Sequence, residues 1–307
     1  MARMPTHDDV QRRSIALQGQ RVSYLCNDGR HAAPTLVFLH GSGVSARYWS
    51  EQLRALAGTA RVVAVDLPGH GESEEAATPG LAHYADVTAA LVDALGAWPA
   101  IAIGHSLGGA VAIALAARRP TDVCGLVLLS ACARLPQVSP SAQWLWGSLP
   151  AALRRVLFFV TAKNMLFAAG ASPAAVALGM QELRACRPRT LAADVAIARA
   201  MDLTAAAAAL RVPALILCGS RDRVTPPALS RYLHATIAGS RLEMVEGAGH
   251  MLLIEAPGVV SRAIAAFATS VSRRFAPTSG VRVATDASVL ARWRRALRRL
   301  IALVRRR

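Results

Sequence analysis

The segment GHSLG, residues 104–108, places a serine between two glycines at the end of an apolar run. A helical pattern, residues 107–118, follows at once. A serine in a tight turn between strand and helix projects its hydroxyl from the sheet, and the glycines remove Cβ atoms that would clash. The new helix points free N–H groups toward negative charge that develops there. The pattern predicts that Ser106 is a nucleophile; the alternative is a plain strand-to-helix turn.

A serine hydroxyl needs a general base, because an alcohol is a poor nucleophile near neutral pH. His250, in EGAGHMLLIE, follows the last apolar run, so we expect it on a loop within reach of Ser106. Asp222, in LILCGSRDRVTPP, follows another apolar run and is placed to orient the imidazole and stabilise its charged form. The alternatives are a solvated loop histidine and a turn aspartate paired with Arg221 or Arg223.

An oxyanion in such a reaction needs two N–H donors. The backbone N–H of Leu107, at the start of the helix, is one predicted donor. We expect the other in the loop HGSG, residues 40–43, from the backbone N–H of Ser42. His40 is interpreted as structural. The chemistry needs no metal and no organic cofactor, and none is predicted.

The elements that would position these residues are apolar runs of four to six residues bounded by Gly, Pro or Asp. Continuous apolar runs are typical of a parallel sheet covered on both faces. Predicted helices alternate with them, at residues 46–57, 81–96, 107–118, 226–238 and 256–268. The predicted strands are 35–39, 61–66, 100–104, 125–130, 214–219 and 242–245. Strand alternating with helix predicts a doubly wound α/β fold.

The alternation stops between residues 133 and 208. This stretch has helical segments and five prolines but no convincing strand, which favours a helical insertion. We therefore divide the chain into a first core part, 1–132, a helical cap, 133–208, a second core part, 209–268, and a basic linker and tail, 269–307.

Charge is distributed unevenly over the 307 residues. The net charge of +16 favours an anionic partner, but residues 1–268 carry only +6, whereas 269–307 carry 11 arginines and one acid.

The five cysteines form no CxxC pair, which argues against a disulfide framework or a zinc site and fits a reducing compartment. The first residues, MARMPTHDDVQRRS, lack the apolar segment of a signal peptide, so we expect a cytoplasmic protein.

Residues 288–307 predict a basic amphipathic helix. Apolar side chains recur at helical spacing, and arginines lie largely off that stripe; the stripe is Leu290, Trp293, Leu297, Leu300 and Val304. Such a helix favours an anionic membrane surface, here the inner membrane face. Packing on the body, self-association and a nonfunctional extension are the alternatives. Nucleic acid is not a predicted partner, because the charged segment has one aromatic and no reading motif.

Taken together, the segments LVFLHGSG, VVAVDLPGHGES, IAIGHSLGG, PALILCGSRDRVTPP and VEGAGHMLLIE occur in an order that resembles the α/β-hydrolase superfamily, specifically its capped serine carboxylesterases and lipases. The resemblance covers residues 20–268 and the order Ser106, Asp222, His250. It implies a mostly parallel eight-stranded sheet with helices on both faces and a helical cap that binds the acyl or alcohol group. Asp66 and His70 are typical of the superfamily and are interpreted as loop-shaping.

The predicted function is hydrolysis of small carboxylic esters through an acyl-enzyme on Ser106. Epoxide hydrolases and haloalkane dehalogenases are disfavoured, because they carry an aspartate where this chain has Ser106. Four alternatives stay open: an acyltransferase, a carbon–carbon bond hydrolase or a cofactor-free haloperoxidase with the same triad, and a noncatalytic binding protein on a hydrolase scaffold. The sequence leaves open the acyl length, the physiological substrate and the oligomeric state.

Overall fold

The computed structural model describes residues 10–27, 29, 34–136 and 151–275. Within these residues an eight-stranded sheet has the order β1-β2-β4-β3-β5-β6-β7-β8. The strands are β1 Val10–Leu17, β2 Gln20–Asn27, β3 Thr35–Leu39, β4 Val62–Val65, β5 Ala100–His105, β6 Val123–Leu129, β7 Ala214–Gly219 and β8 Arg241–Val245.

Strands β3 to β8 pair in parallel, and β2 pairs antiparallel with both β1 and β4. The central strands are fully buried, which explains their continuous apolar runs. All six strands predicted from apolar runs are present. The β1–β2 hairpin was not among them, because β1 alternates between exposed and half-buried residues in an arginine-containing stretch.

The described helices alternate with the parallel strands and then replace them between β6 and β7. They are α1 Ser50–Leu56, α2 Leu81–Ala94, α3 Leu107–Arg118, α4 Ala151–Leu166, α5 Pro173–Ala185, α6 Pro188–Ala200, α7 Thr204–Ala209, α8 Pro227–Thr236, α9 Leu252–Glu255 and α10 Pro257–Phe275. A 3-10 turn, Ala46–Trp49, precedes α1. None of the helices in the described part of the chain is long and apolar enough to cross a membrane.

Two apolar clusters lie on the two faces of the sheet. Alternate residues of one strand belong to different clusters: Ala102 of β5 packs with α2, α3 and α8, whereas Ile101 and Ile103 pack with α1, α9 and α10. This arrangement follows from the two-residue period of a strand. It confirms the predicted α/β fold with helices on both faces.

The parallel strands present their carboxyl ends at one edge of the sheet, where ligands bind in folds of this kind. Helices α4 to α7 lie between β6 and β7 in the chain, within the predicted cap, residues 133–208. An isolated bridge between Arg134 and Asp202 joins the two ends of this insertion. The four-part domain division stays a prediction.

The last described helix, α10, runs to Phe275, seven residues past the predicted end of the core. The chain divides into two compact units, Met1–Ser272 and Arg273–Arg307. The predicted amphipathic helix, residues 288–307, lies outside the described residues.

Candidate active site

Ser106 stands at the turn between β5 and α3 with φ 52° and ψ −118°, a strained conformation for a residue with a side chain. Two glycines permit this turn. A Cβ at Gly104 would lie 2.2 Å from the carbonyl oxygen of Gly108, and a Cβ at Gly108 would lie 2.1 Å from that of Leu39. The tight packing of β3, β5 and α3 therefore depends on both glycines and presents a half-buried serine at the sheet edge.

His250 lies on the loop after β8 and is 3% exposed. Its Nδ1 is 3.0 Å from Oδ2 and 3.2 Å from Oδ1 of Asp222. Because Nδ1–H donates its hydrogen bond to the carboxylate, the other ring nitrogen, Nε2, is unprotonated and can act as a base. The structure thus brings together the predicted base and the predicted orienting acid.

Asp222 follows β7 and is held by its own loop. The backbone N–H groups of Val224 and Thr225 each donate to Oδ1 over 2.9 Å, and the Thr225 hydroxyl lies 2.8 Å from Oδ2. Burial opposes ionisation of Asp222, but the charge of His250 and hydrogen bonds that include those from His250 and the Thr225 N–H outweigh it and lower the pKa of Asp222 to about 2. Asp222 is therefore a carboxylate at neutral pH.

His105, the residue before the nucleophile, contacts the backbone of His250 through a hydrogen bond. Its Nε2 is 2.9 Å from the carbonyl oxygen of His250, and the two rings are 4.9 Å apart. Burial and the nearby charge of His250 lower the pKa of His105 to about 3. His105 is therefore a neutral donor that fixes the His250 backbone, a role that the sequence did not indicate.

Thr225 is a second contributor that was not predicted. Its hydroxyl is buried and lies 2.8 Å from Asp222 Oδ2, 2.9 Å from the carbonyl oxygen of Ser130 and 3.3 Å from His250 Nδ1. One hydroxyl thus ties the acid and the base to the end of β6. The signal in the sequence was its position three residues after Asp222, where a side chain can bond back to the turn.

Replacing Thr225 by valine removes this hydroxyl while keeping the branched shape. We expect kcat for ester hydrolysis to fall about tenfold, because Asp222 and His250 lose a shared hydrogen-bond partner. Steady-state kinetics would measure the loss. Thr225→Ser keeps the hydroxyl and should recover most of the activity, whereas equal losses in both variants would show that packing, and not the hydroxyl, matters here.

Ser42 and Leu107, the predicted oxyanion donors, line the same cavity as Ser106 and His250. Leu107 is the first residue of α3, so its N–H has no acceptor within the helix. A Cβ at Gly41 would lie 3.1 Å from the Ser106 Cβ. The loop after β3 therefore lies close to Ser106. Such proximity is needed if the Ser42 N–H is to donate to an oxyanion formed there.

His40 is fully buried and has a structural set of contacts. Its Nε2 accepts from the Leu67 N–H over 3.0 Å, and its Nδ1 donates to the Gly41 carbonyl over 2.8 Å. Burial and the neighbouring His70 lower the pKa of His40 to about 4, so the ring is neutral. These contacts join the loops after β3 and β4.

Asp66 and His70 hold the loop after β4. Asp66 accepts from the backbone N–H of Ala46 over 2.7 Å and from that of Glu72 over 3.2 Å. His70 Nε2 lies 2.9 Å from a carboxylate oxygen of Asp194, on helix α6. Both residues therefore shape loops, and His70 also connects the core to the insertion.

A cavity of about 340 Å³ opens beside the triad. Its walls come from the core and from helices α4, α5 and α6, and they are mostly apolar: Leu135, Ala162, Met165, Leu166, Leu183, Leu191, Val195, Ala198, Met201, Val224 and Met251. The described residues contain no cluster of three or more His, Cys, Asp or Glu side chains that could hold a metal ion. The arrangement can present an apolar ester to a serine nucleophile.

Comparison with known proteins agrees with this geometry. A pimeloyl-(acyl-carrier protein) methyl ester esterase from Neisseria meningitidis is 32% identical over 228 residues, which is 71% of this chain and 86% of the relative. A hydrolase from Pseudomonas aeruginosa matches with a TM-score of 0.73 and 30% identity, covering 84% of this chain and 98% of that structure. An enol-lactonase from Burkholderia xenovorans matches with a TM-score of 0.75 and 26% identity, covering 84% and 100%.

The family model described as the alpha/beta hydrolase family matches residues 36–263. This range begins in β3, includes the nucleophile turn and both remaining triad positions, and ends within α10. The superfamily inferred from the sequence is thereby confirmed: the chain belongs to the alpha/beta hydrolase family.

Proposed function

We propose that this α/β hydrolase cleaves carboxylic esters through an acyl-enzyme on Ser106. The observation that carries the proposal is the buried pair of His250 and Asp222, 3.0 Å apart, on the same apolar cavity as the strained Ser106 turn. The relatives, which include esterases and a lactonase, support ester chemistry.

In the acylation step, His250 Nε2 takes the Ser106 proton as the hydroxyl attacks the ester carbonyl. The backbone N–H groups of Leu107 and Ser42 stabilise the oxyanion. Asp222 stabilises the imidazolium, which then donates its proton to the leaving alcohol. The Asp222–His250 hydrogen bond supports the roles proposed for these two residues, and the step consumes no cofactor.

In the deacylation step, His250 takes a proton from water, and the hydroxide that forms attacks the acyl carbonyl. The second tetrahedral intermediate uses the same two N–H donors. Its collapse releases the carboxylic acid and returns the proton to Ser106. Water must therefore reach the cavity after the alcohol has left.

The substrate proposed is a small ester with an apolar acyl or alcohol group, because the walls of the cavity are mostly apolar. Residues 133–208 are proposed as the cap that selects this group. Met165 of α4, Leu183 of α5 and Val195 of α6 contribute to the wall from within this range.

Two measurements test this proposal. A fluorophosphonate probe should label the wild type at Ser106 and should fail to label Ser106→Ala. A series of p-nitrophenyl esters of increasing acyl length should give a maximum of kcat/KM that reports the depth of the acyl pocket. Absence of labelling in the wild type, or labelling that persists in Ser106→Ala, would refute the catalytic role of Ser106.

Acyl transfer and carbon–carbon bond hydrolysis use the same triad. Adding a primary alcohol acceptor during turnover and quantifying acid and new ester separates the first alternative, since a hydrolase forms mainly acid. A β-diketone that is cleaved faster than esters would favour the second. A noncatalytic binding protein would turn over none of these compounds.

We further propose a cytoplasmic enzyme that residues 288–307 attach to the inner membrane face. Free cysteines, four of them buried, fit a reducing compartment. The full chain should pellet with anionic liposomes, and deletion of residues 281–307 should abolish most of this pelleting, because the arginines of the tail are lost. Neutral phosphatidylcholine liposomes are the control; equal pelleting of both chains would contradict the attachment.

A further inference from the structure

Arg199 is the one arginine, lysine or acidic residue among the described residues that line the catalytic cavity. The other titratable groups in that wall are His105 and His250, both already assigned to the triad and its support. A mostly apolar cavity therefore has, among the described residues, one permanent cation in its wall besides the groups assigned to catalysis.

Helix α6 holds Arg199 in this position. Leu191, Val195, Ala198 and Arg199 all line the cavity, and their spacing puts them on one face of the helix. Asp194 borders this face, three residues after Leu191 and four before Ala198, but lies well around the helix from Arg199. Its two carboxylate oxygens bind His70 over 2.9 Å and the Tyr84 hydroxyl over 3.1 Å. These buried contacts with the core fix the rotation of α6 and so keep Arg199 toward the cavity.

No acid in the described part of the chain neutralises this cation. Among the described residues, no hydrogen bond or ion pair engages the Arg199 guanidinium. Asp202, the next acid along the chain, accepts from the Thr204 N–H over 2.9 Å and lies 3.5 Å from Arg134. Asp194 is fully buried, and its carboxylate oxygens already bind His70 and Tyr84. With respect to the described residues, the guanidinium donors are therefore open to a ligand.

The surroundings of Arg199 place it at the mouth of the cavity. Arg199 is exposed, and two other lining residues, Met165 and Val195, are 43% and 39% exposed. An apolar chain that leaves Ser106 through this mouth would pass Met165 and Val195 and reach the guanidinium. A guanidinium in this setting binds a carboxylate or phosphate through paired N–H donors.

We propose that Arg199 is an anion subsite and that the preferred substrates are esters with an anionic group at the end remote from the scissile bond. This proposal rests on the proposed ester hydrolysis and adds the class of substrate. The apolar wall binds the chain, and Arg199 binds a carboxylate or a phosphate at its far end.

The test compares methyl monoesters of linear dicarboxylic acids with their neutral dimethyl esters over a range of chain lengths. The measured quantity is the selectivity, the ratio of kcat/KM for the anionic ester to kcat/KM for the neutral one. We expect Arg199→Gln to lower this ratio roughly fivefold, mainly through KM, since the pair forms at a partly exposed site. Arg199→Lys should keep most of the selectivity. An ω-phosphorylated methyl ester separates a phosphate preference from a carboxylate preference.

Arg189→Gln is the matched control, because Arg189 is an exposed arginine on the same helix that does not line the cavity. It should leave the ratio unchanged. An equal drop in Arg189→Gln would assign the effect to overall charge, and an unchanged ratio in Arg199→Gln would refute the subsite. If the wild type hydrolyses neither kind of ester, the proposed function itself fails, which is a separate result.

Discussion

Ser106→Ala is expected to lower kcat for ester hydrolysis by about ten-thousandfold to a millionfold, with a folded protein and little change in substrate affinity. Without the hydroxyl no acyl-enzyme forms, and His250 can at best activate water beside the bound ester. The cavity wall and the oxyanion donors remain, so a residual rate above that of water should persist. Single-turnover kinetics and ester binding by calorimetry would measure the two quantities.

A second variant, Ser106→Gly, tests the physical reason for the strained turn. At φ 52° and ψ −118° glycine has little steric penalty, whereas serine and alanine do. We therefore expect Ser106→Gly to be as inactive as Ser106→Ala but to unfold at a higher temperature. Calorimetry of the three proteins decides this: a glycine variant that melts no higher than the alanine variant would show that relief of strain does not exceed the entropy that glycine adds to the unfolded chain.

Much of the fold was predictable because buried parallel strands have continuous apolar runs. Strands β3 and β7 coincide with their predicted ranges, and β5 differs by one residue. The hairpin of β1 and β2 was not predicted from the sequence. Its first strand is an edge strand with no fully buried residue, so burial leaves no apolar run in the sequence.

The candidate site could be proposed from the sequence where residue type, spacing and position after a strand coincide. A serine between glycines at a strand end, and an aspartate and a histidine after later strands, stand out in the sequence. Thr225 and His105 do not, because their roles come from hydrogen bonds that cross between chain segments: Thr225 to the carbonyl of Ser130, and His105 to the carbonyl of His250. Only the packed structure brings those groups together.

The same reasoning applies to Arg199 and to the charge of the chain. The net charge of +16 lies mainly in residues 269–307, so the arginine content alone indicated nothing about the active site. The position of one arginine becomes informative only when the rotation of α6, fixed through Asp194, is known. The two proposals therefore use different charges: the tail arginines for attachment to a membrane, and Arg199 for substrate choice.

Asp222→Asn should reduce kcat/KM by about ten-thousandfold, because it reverses the tautomer of His250. The N–H groups of Val224 and Thr225 both donate to Oδ1, so the amide oxygen must occupy that position. The amide NH₂ then faces His250 Nδ1, where Oδ2 lies 3.0 Å away in the wild type. It donates to Nδ1, the ring proton moves to Nε2, and the base can no longer accept the Ser106 proton.

Stability against pH gives an independent readout of the same carboxylate. Because the folded pKa of Asp222, about 2, lies below its ordinary value of 3.8, ionised Asp222 stabilises the fold above about pH 4, by about 2 kcal/mol, and this is lost as pH falls toward 2. Asp222→Asn lacks this contribution, so its free energy of unfolding should fall less steeply over that interval.

Asp86→Asn, which removes an exposed partner of Arg118, is the control and should follow the wild type in both rate and acid unfolding. A tautomer reversal predicts loss of activity at every pH where the protein is folded; activity that recovers once the solution is neutral would instead assign Asp222 a purely structural part.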